Sequence, residues 1–300
     1  MEEFMIIDAH AHLWKRQDAV VNGAHICSID RNPSRSMFFG KEVQMLPPFM
    51  IDGKNSAEVF MSNMDYAQVS KAVIVQEIID GNQDVYLEEV ERKYPQRFIC
   101  CGMIDGTKME LSDEDIRRFS AFAMPAHRIT ERPLTDFLPL FKQLEKHDKV
   151  LDICLADDEK QIAQMQEIID ECPRLRVAIG HFGMATTASW KSQILLARNE
   201  NVMIESGGIT WLYHSEFYPY PSAIRAIKEA ADMVGMKKLM WGSDYPRTIT
   251  AITYRMSYDF VSRSKELTHE EKEMFLGENA KRFYRLSNLI RLPYIKNMSE

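Results

Sequence analysis

The sequence predicts a single α/β domain over residues 1–300, folded as a (β/α)₈ barrel, and three observations predict it. Short apolar runs rich in β-branched residues recur eight times, amphipathic stretches of helical period separate them, and the set fits within 300 residues. Strand and helix alternating eight times in roughly 250 to 300 residues is the arithmetic of such a barrel, whereas doubly wound sheets usually stop at about five to seven strands. The 45% hydrophobic content suffices for one large core.

The runs are Met5–Ala9, Lys71–Gln76, Arg97–Met103, Phe122–Thr130, Val150–Ala156, Arg176–Gly180, Val202–Ser206 and Lys238–Gly242. Continuous apolar runs suit strands buried on both faces. Helices are expected at Ser56–Gln68, Asp84–Tyr94, Leu134–His147, Glu159–Glu171 and Ser222–Met233, several opened by Ser, Asp or Pro and closed near Gly, Pro or Asn. Pro125 sits awkwardly in the fourth run, because it cannot donate to a central ladder, and losing that strand would reopen the doubly wound alternative. One long irregular stretch, Trp14–Asn55, follows the first strand. A connection of that length reads as a functional lid, here packed by Phe38, Phe39, Phe49 and Pro47-Pro48 over the catalytic face. The core runs from about residue 5 to 286. The tail 287–300, with Leu289, Ile290 and Tyr294, is apolar enough to dock on its own barrel or on a neighbouring subunit of a homo-oligomer.

Charge excludes several partners. Thirty-seven Lys and Arg against 44 Asp and Glu give −7 with no basic run, which disfavours nucleic acid. No apolar stretch approaches the ~18 residues of a membrane span, and the acidic Met1-Glu2-Glu3-Phe4 start is unlike a secretory signal, so a cytoplasmic protein is expected. Five cysteines without a CxxC pair argue against a disulfide framework or a zinc finger.

The chemistry gathers at the carboxyl ends of the predicted strands. In Asp8-Ala9-His10-Ala11-His12 two imidazoles lie two residues apart, and residues so spaced on a strand share a side about 6.5 to 7 Å apart. Gly180-His181-Phe182-Gly183 closes the sixth run and Gly242-Ser243-Asp244-Tyr245-Pro246 the eighth. Taken singly, His181 fits a core histidine and Asp244 a helix N-cap. Together the four residues would face the catalytic end of a barrel, where imidazole nitrogens and a carboxylate suit one divalent ion, Zn²⁺ being the expected one.

These motifs resemble the amidohydrolase superfamily, in particular the amidohydrolase-related branch with sugar lactonases, pyrone-dicarboxylate lactonases and aminocarboxymuconate-semialdehyde-type decarboxylases. Met64-Asp65 before Ala72-Val73-Ile74-Val75-Gln76, Arg92-Lys93-Tyr94-Pro95-Gln96-Arg97-Phe98, Met240-Trp241-Gly242-Ser243-Asp244-Tyr245-Pro246 and Gly277-Glu278-Asn279-Ala280-Lys281-Arg282-Phe283-Tyr284 carry the resemblance further, over about residues 5 to 286. The resemblance implies that His10 and His12 are metal ligands, that Asp244 is a ligand or the general base, and that His181 contacts substrate, the reacting water or the metal. The family's fifth-strand histidine is missing from Val150-Leu151-Asp152-Ile153-Cys154-Leu155-Ala156, and no fourth-strand carboxylated lysine is evident. Either Cys154 or Asp152 replaces that histidine, or the metal is weakly held or absent. Softer substrate contacts are His127, Arg128, Cys154, Glu205 and Tyr245, with Gly81-Asn82-Gln83 flanking the pocket and Trp14, Trp211, Tyr213 and His214 as aromatic walls.

The leading expectation is a metal-assisted hydrolase acting on a small lactone or amide, with Asp244 as general base and His181 steering the water. A nonoxidative decarboxylase of an aromatic or muconate-like acid is the alternative, and a non-catalytic metabolite-binding barrel the third. At −7 overall, an anionic substrate must be drawn in by a local cluster of metal, histidines and Arg128.

Overall fold

A computed structural model describes residues 4–296 and 298; Met1 to Glu3, Asn297, Ser299 and Glu300, which include part of the acidic start and of the tail, lie outside the described residues. Twelve strands are present in the described residues: β1 (Ile6–Ala11), β2 (Asp18–Val21), β3 (Ala24–Ile29), β4 (Asn32–Phe38), β5 (Lys41–Gln44), β6 (Val69–Ile74), β7 (Phe98–Met103), β8 (Ala121–Met124), β9 (Val150–Ile153), β10 (Arg176–Ile179), β11 (Val202–Glu205) and β12 (Leu239–Met240). Eight of them form one parallel sheet in the order β1-β6-β7-β8-β9-β10-β11-β12. Its two edges meet, because Ala9 N–H donates to Trp241 O at 2.9 Å, Asp244 N–H to His10 O at 2.8 Å and His12 N–H to Tyr245 O at 2.7 Å. The architecture is a (β/α)₈ barrel.

Pro125 does not interrupt the ladder, since β8 ends at Met124 and the chain then turns through Ala126–Arg128. The five expected helices form at Ala57–Tyr66, Asp84–Lys93, Leu138–Lys146, Glu159–Glu171 and Pro221–Val234. The first starts where Ser56 Oγ accepts from Val59 N–H, and the last starts on Pro221, whose fixed φ suits a first helical turn. Side chains sort into two layers. Ile7, Val73, Cys101, Ala123, Val150 and Met203 fill the barrel interior, while Ile6, Ile74, Phe98, Phe122, Leu151 and Ile204 pack outward against the helices.

Two expectations are revised. Residues 18–44 of the supposedly irregular stretch form a second, antiparallel sheet in the order β2-β3-β4-β5. Its hairpins turn on Asn22-Gly23 (φ 50° and 77°) and Phe39-Gly40 (φ 46° and 79°), the paired positive φ of a tight two-residue turn. The alternation escaped notice because its inward positions include polar Ser28, Ser34 and Ser36 beside Val21 and Ile26. The tail question also closes for its first residues. Leu289 packs on the inner core beside Phe283 and Tyr284, and Ser70 Oγ–H donates to Ile290 O at 2.7 Å, so this part docks on its own barrel.

Candidate active site

The first-strand motif reaches the barrel mouth through a bulge. The β1–β6 register slips between Asp8 and Ala11, so Ala9 packs inside the barrel while Ala11 joins the outer core. Such a slip re-aims side chains, and here it turns both imidazoles into the mouth. Their close packing also needs two glycines: a Cβ on Gly207 would meet His10 Cγ at 2.7 Å, and one on Gly242 would meet His10 Cβ at 2.6 Å.

Hydrogen bonds orient the rings. His12 Nδ1 lies 3.0 Å from Val75 O and His181 Nδ1 lies 2.8 Å from Gly207 O, so each Nδ1 carries the hydrogen and donates it, leaving Nε2 as a lone pair. His10 Nδ1 lies 2.9 Å from Glu205 Oε1, but off the line of a hydrogen bond, and is a buried atom without a hydrogen-bond partner. His10 Nε2 faces His12 Nε2 at 3.1 Å, and His12 Nε2 faces Asp244 Oδ1 at 2.9 Å. These two ring nitrogens and a carboxylate oxygen lie close enough together to hold one cation, and the donor set fits a divalent ion. His181 stays outside that group, its ring centroid 4.7 Å from that of His10.

Electrostatics keep the buried His10 and His181 imidazoles neutral and the Asp244 carboxylate ionised. Burial, reinforced by its neighbour His12, lowers His10 to about 3, and burial with His10 beside it lowers His181 to about 4. Burial alone would raise Asp244, but its close contact with His12 and the Arg247 guanidinium outweigh it and hold the carboxyl well below the usual range. Its Oδ2 accepts from Trp211 Nε1–H at 2.7 Å. Asp244 itself sits at φ 57°, and His181, Phe182, Gly183 and Met184 run through φ 52°, 52°, 58° and 57°, left-handed backbone that favours glycine. Strain held at two such positions is typical of functional loops.

A cavity of about 440 Å³ opens above this floor. His12, His181, Asp244, His127, Arg128 and Cys154 line it, and the β2–β5 sheet closes one side with Phe38 and Met45. The Cys154 thiol therefore faces the cavity, and burial raises its pKa well above the ordinary thiol value. Arg128 Nε–H donates to Glu77 Oε1 at 2.9 Å, while His127 Nε2 lies 3.4 Å from Glu77 Oε2. Glu77 also lines the cavity; burial pushes its carboxyl up, but His127 and Arg128 together bring it down to about 2.

Several expected contacts lie elsewhere. Glu205 is fully buried beneath the histidines, accepting from His181 N–H at 2.8 Å and Gly207 N–H at 2.5 Å, and burial raises it to about 7. It orients backbone and does not line the cavity. Tyr245 is fully buried in the outer core, stacked on Phe60 at 4.0 Å, because it points away from the mouth that Asp244 faces. Trp14 packs with Leu46 and Met50. Tyr213 packs on the outer core, and His214 lines a separate groove. The Gly81 turn packs under the sheet, where a Cβ would meet Asp18 O at 2.4 Å. Of the fifth-strand candidates, Asp152 groups with His10 and Glu205 beneath the site, and Cys154 belongs to neither ligand group among the described residues.

The sequence reading missed two neighbours of the site and half of the part played by a third. Asp80 accepts from Arg247 Nη2–H at 2.9 and 2.7 Å, and Arg247 Nη1 stands 3.7 Å from Asp244 Oδ1. Trp211 was expected as a wall and also proves to be a donor to Asp244. Arg247 lies three residues beyond Asp244, a spacing that could have flagged it; Asp80, in the turn after β6, carried no signal.

Among known proteins, the Amidohydrolase family model (Amidohydro_2) matches residues 7–286. No curated protein matches the sequence significantly. A probable 2-pyrone-4,6-dicarboxylic acid hydrolase from Acinetobacter baumannii superposes with a TM-score of 0.71 at 17% identity, over 94% of this chain and 99% of that one. An amidohydrolase from Burkholderia multivorans with bound zinc gives 0.69 at 17% identity, over 94% and 100%. A manganese complex of 5-carboxyvanillate decarboxylase from Novosphingobium aromaticivorans gives 0.56 at 20% identity, over 77% and 80%. These likenesses show the fold, and the family match across 7–286 shows the kinship: the chain belongs to the amidohydrolase family.

Proposed function

We propose that this enzyme hydrolyses a small, carboxylated lactone or amide, with Asp244 as general base and a single divalent ion, zinc, held by His10, His12 and Asp244. The observation that carries the reading is the convergence of the two Nε2 atoms and an ionised carboxylate on the floor of a cavity of about 440 Å³. When bound, the ion lowers the pKa of water and polarises a carbonyl. The chain's own residues do the rest. Asp244 takes the proton of the attacking water, and the Trp211 bond to its Oδ2 fixes the direction of the carboxylate. His181, neutral and with its Nδ1–H spent on Gly207 O, offers Nε2 to orient that water. Arg128 uses only Nε on Glu77, and its two terminal nitrogens are the donors for a substrate carboxylate. Phe38 and Met45 from the second sheet shield the reacting carbonyl.

The pyrone dicarboxylic acid hydrolase and the zinc-bound amidohydrolase among the structural neighbours support the lactone and zinc readings. The decarboxylase neighbour supports a second reading, loss of CO₂ from an aromatic acid at the same residues. A panel of carboxylated lactones, amides and aromatic acids, followed by acid release and by CO₂ detection, separates them. Stoichiometric CO₂ without ring opening would overturn hydrolysis, and a wild type inert to the whole panel while binding its members would point to the non-catalytic barrel.

A further inference from the structure

We infer that Arg247 sets the metal affinity of this site, acting as a built-in counter-cation for Asp244 that keeps the divalent ion exchangeable. The inference rests on the metal reading proposed above. Asp244 has only one oxygen for an ion, because Oδ2 already accepts from Trp211 Nε1–H at 2.7 Å. That remaining oxygen, Oδ1, stands 3.7 Å from Arg247 Nη1. The guanidinium cannot swing away: Nη2 is held by both Asp80 oxygens at 2.9 and 2.7 Å, and the group lies over the Trp14 ring at 5.7 Å. Nη1 is buried and has no hydrogen-bond partner, so its charge is screened by neither water nor a bond of its own.

The charge balance of the ligand set then decides the sign. His10 and His12 are neutral donors and Asp244 supplies the single negative charge, so against a doubly positive ion the fixed guanidinium cancels the attraction of the only anionic ligand. Asp80 compensates Arg247, but both its oxygens are engaged by the guanidinium, it approaches the ligand set only at the hydrogen-bearing Nδ1 side of His12, 4.0 Å away, and it belongs to neither ligand group among the described residues. Nothing on β9 makes up the deficit, since Asp152 gathers with Glu205 on the far side of His10. Like charges a few ångströms apart inside a protein repel by enough to change affinity at least about tenfold.

The test measures zinc affinity directly, by competition with a chromophoric chelator, on folded protein checked by thermal melting. Arg247→Met would leave Asp80 buried and unpaired, so the variant of choice is the double substitution Arg247→Met with Asp80→Asn, which removes the pair together. It is expected to bind zinc at least about tenfold more tightly than wild type and to retain more zinc through purification. Arg247→Lys, which keeps the charge, is expected to stay near wild type. Asp80→Asn alone, which frees Arg247 to lean on Asp244, is expected to weaken zinc. A double variant that binds no more tightly than wild type, or an Arg247→Lys that tightens as much as the double variant, would overturn the role of Arg247 while leaving the metal reading intact. Absence of zinc binding by every protein in the series would overturn the metal reading and this inference with it.

Discussion

Removing the Asp8 carboxylate should unpin the loop that presents Asp244. Asp8 is fully buried at the start of the site strand and accepts four hydrogen bonds: from Ser243 N–H at 2.8 Å, Ser243 Oγ–H at 2.5 Å, Tyr254 O–H at 2.7 Å and His10 N–H at 3.1 Å. In Asp8→Ala the Ser243 hydroxyl can turn towards His10 O, 3.4 Å away, but the two N–H groups and the Tyr254 hydroxyl lose their acceptor. Each buried donor left unmade costs about 1 to 3 kcal/mol, so the variant should lose about 4 kcal/mol. At about 2.1 cal/mol/K of unfolding entropy per residue, a chain of 300 residues loses about 6 °C in Tm. Asp8→Asn should be much milder, because both hydroxyls can rotate to accept from the new amide while the two N–H groups keep Oδ1. Burial raises Asp8 to about 7 against its hydrogen bonds. The native state then keeps a proton that the unfolded chain releases above its ordinary 3.8, so this group's contribution falls as pH rises towards 7, and Asp8→Asn should gain on wild type between pH 5 and 8. Calorimetric melts at both pH values read these quantities. An Asp8→Ala protein within about 1 kcal/mol of wild type would refute the pin.

Four further outcomes follow from the site. Asp244→Asn keeps the shape but loses the base and an anionic ligand, and steady-state kinetics on a hydrolysed lactone should show kcat reduced at least about a hundredfold. Arg128→Ala should raise KM for carboxylated substrates about tenfold or more while sparing their neutral amides, a split that simple loss of packing would not give. Phe38→Ala, which opens the sheet side of the cavity, should raise KM for every substrate by a similar factor, since a buried aromatic contact is worth about 1 to 3 kcal/mol. Burial holds His10 near 3 and His181, outside the ligand group, near 4, so zinc affinity measured from pH 8 to 5 should change little on their account and be lost only towards pH 3, where His10 takes up its proton. The same two groups take up protons in the unfolded chain below its ordinary 6.5 but not in the native one, so their contribution to stability is lost as pH falls from 6.5.

The barrel was legible because doubly buried parallel strands leave continuous apolar runs, and all eight runs contain or overlap the strands of the main sheet. Pro125 looked like an obstacle only because the fourth run was drawn too long; β8 stops at Met124. The second sheet was not legible as a sheet, since Ser28, Ser34 and Ser36 occupy inward positions where a hydrophobic alternation would have shown. Its Asn22-Gly23 turn was the available signal. Within the site, His10, His12, His181 and Asp244 announced themselves at strand ends, but the bulge between Asp8 and Ala11 that aims two of them leaves no trace in composition. Tyr245 was misplaced for a related reason. Whether it faces the mouth or the outer core depends on the turn at Asp244 and on the Phe60 ring it stacks against, a contact across 184 intervening positions of chain.

Asp80 shows why the covering sheet and the chemistry belong to one arrangement. Its Oδ1 accepts from Gln17 Nε2–H at 2.8 Å, and Gln17 Oε1 in turn accepts from the Ser36 hydroxyl on β4. Both Asp80 oxygens hold Arg247, whose other arm stands beside Asp244, and Oδ2 lies 4.0 Å from His12 Nδ1. One buried carboxylate thus ties the sheet that covers the cavity to the cation beside Asp244 and to the His12 ring. One of the inward polar residues that break the alternation, Ser36, makes this tie, since a purely apolar underside would have had no hydrogen bond to offer a charged group. The position of the insertion follows from the same geometry. Emerging after β1, it passes Gln17 directly beside the turn that carries Asp80, where a side chain on Gly81 would collide with the Asp18 carbonyl, so cover and charged network can be joined over a few residues of chain.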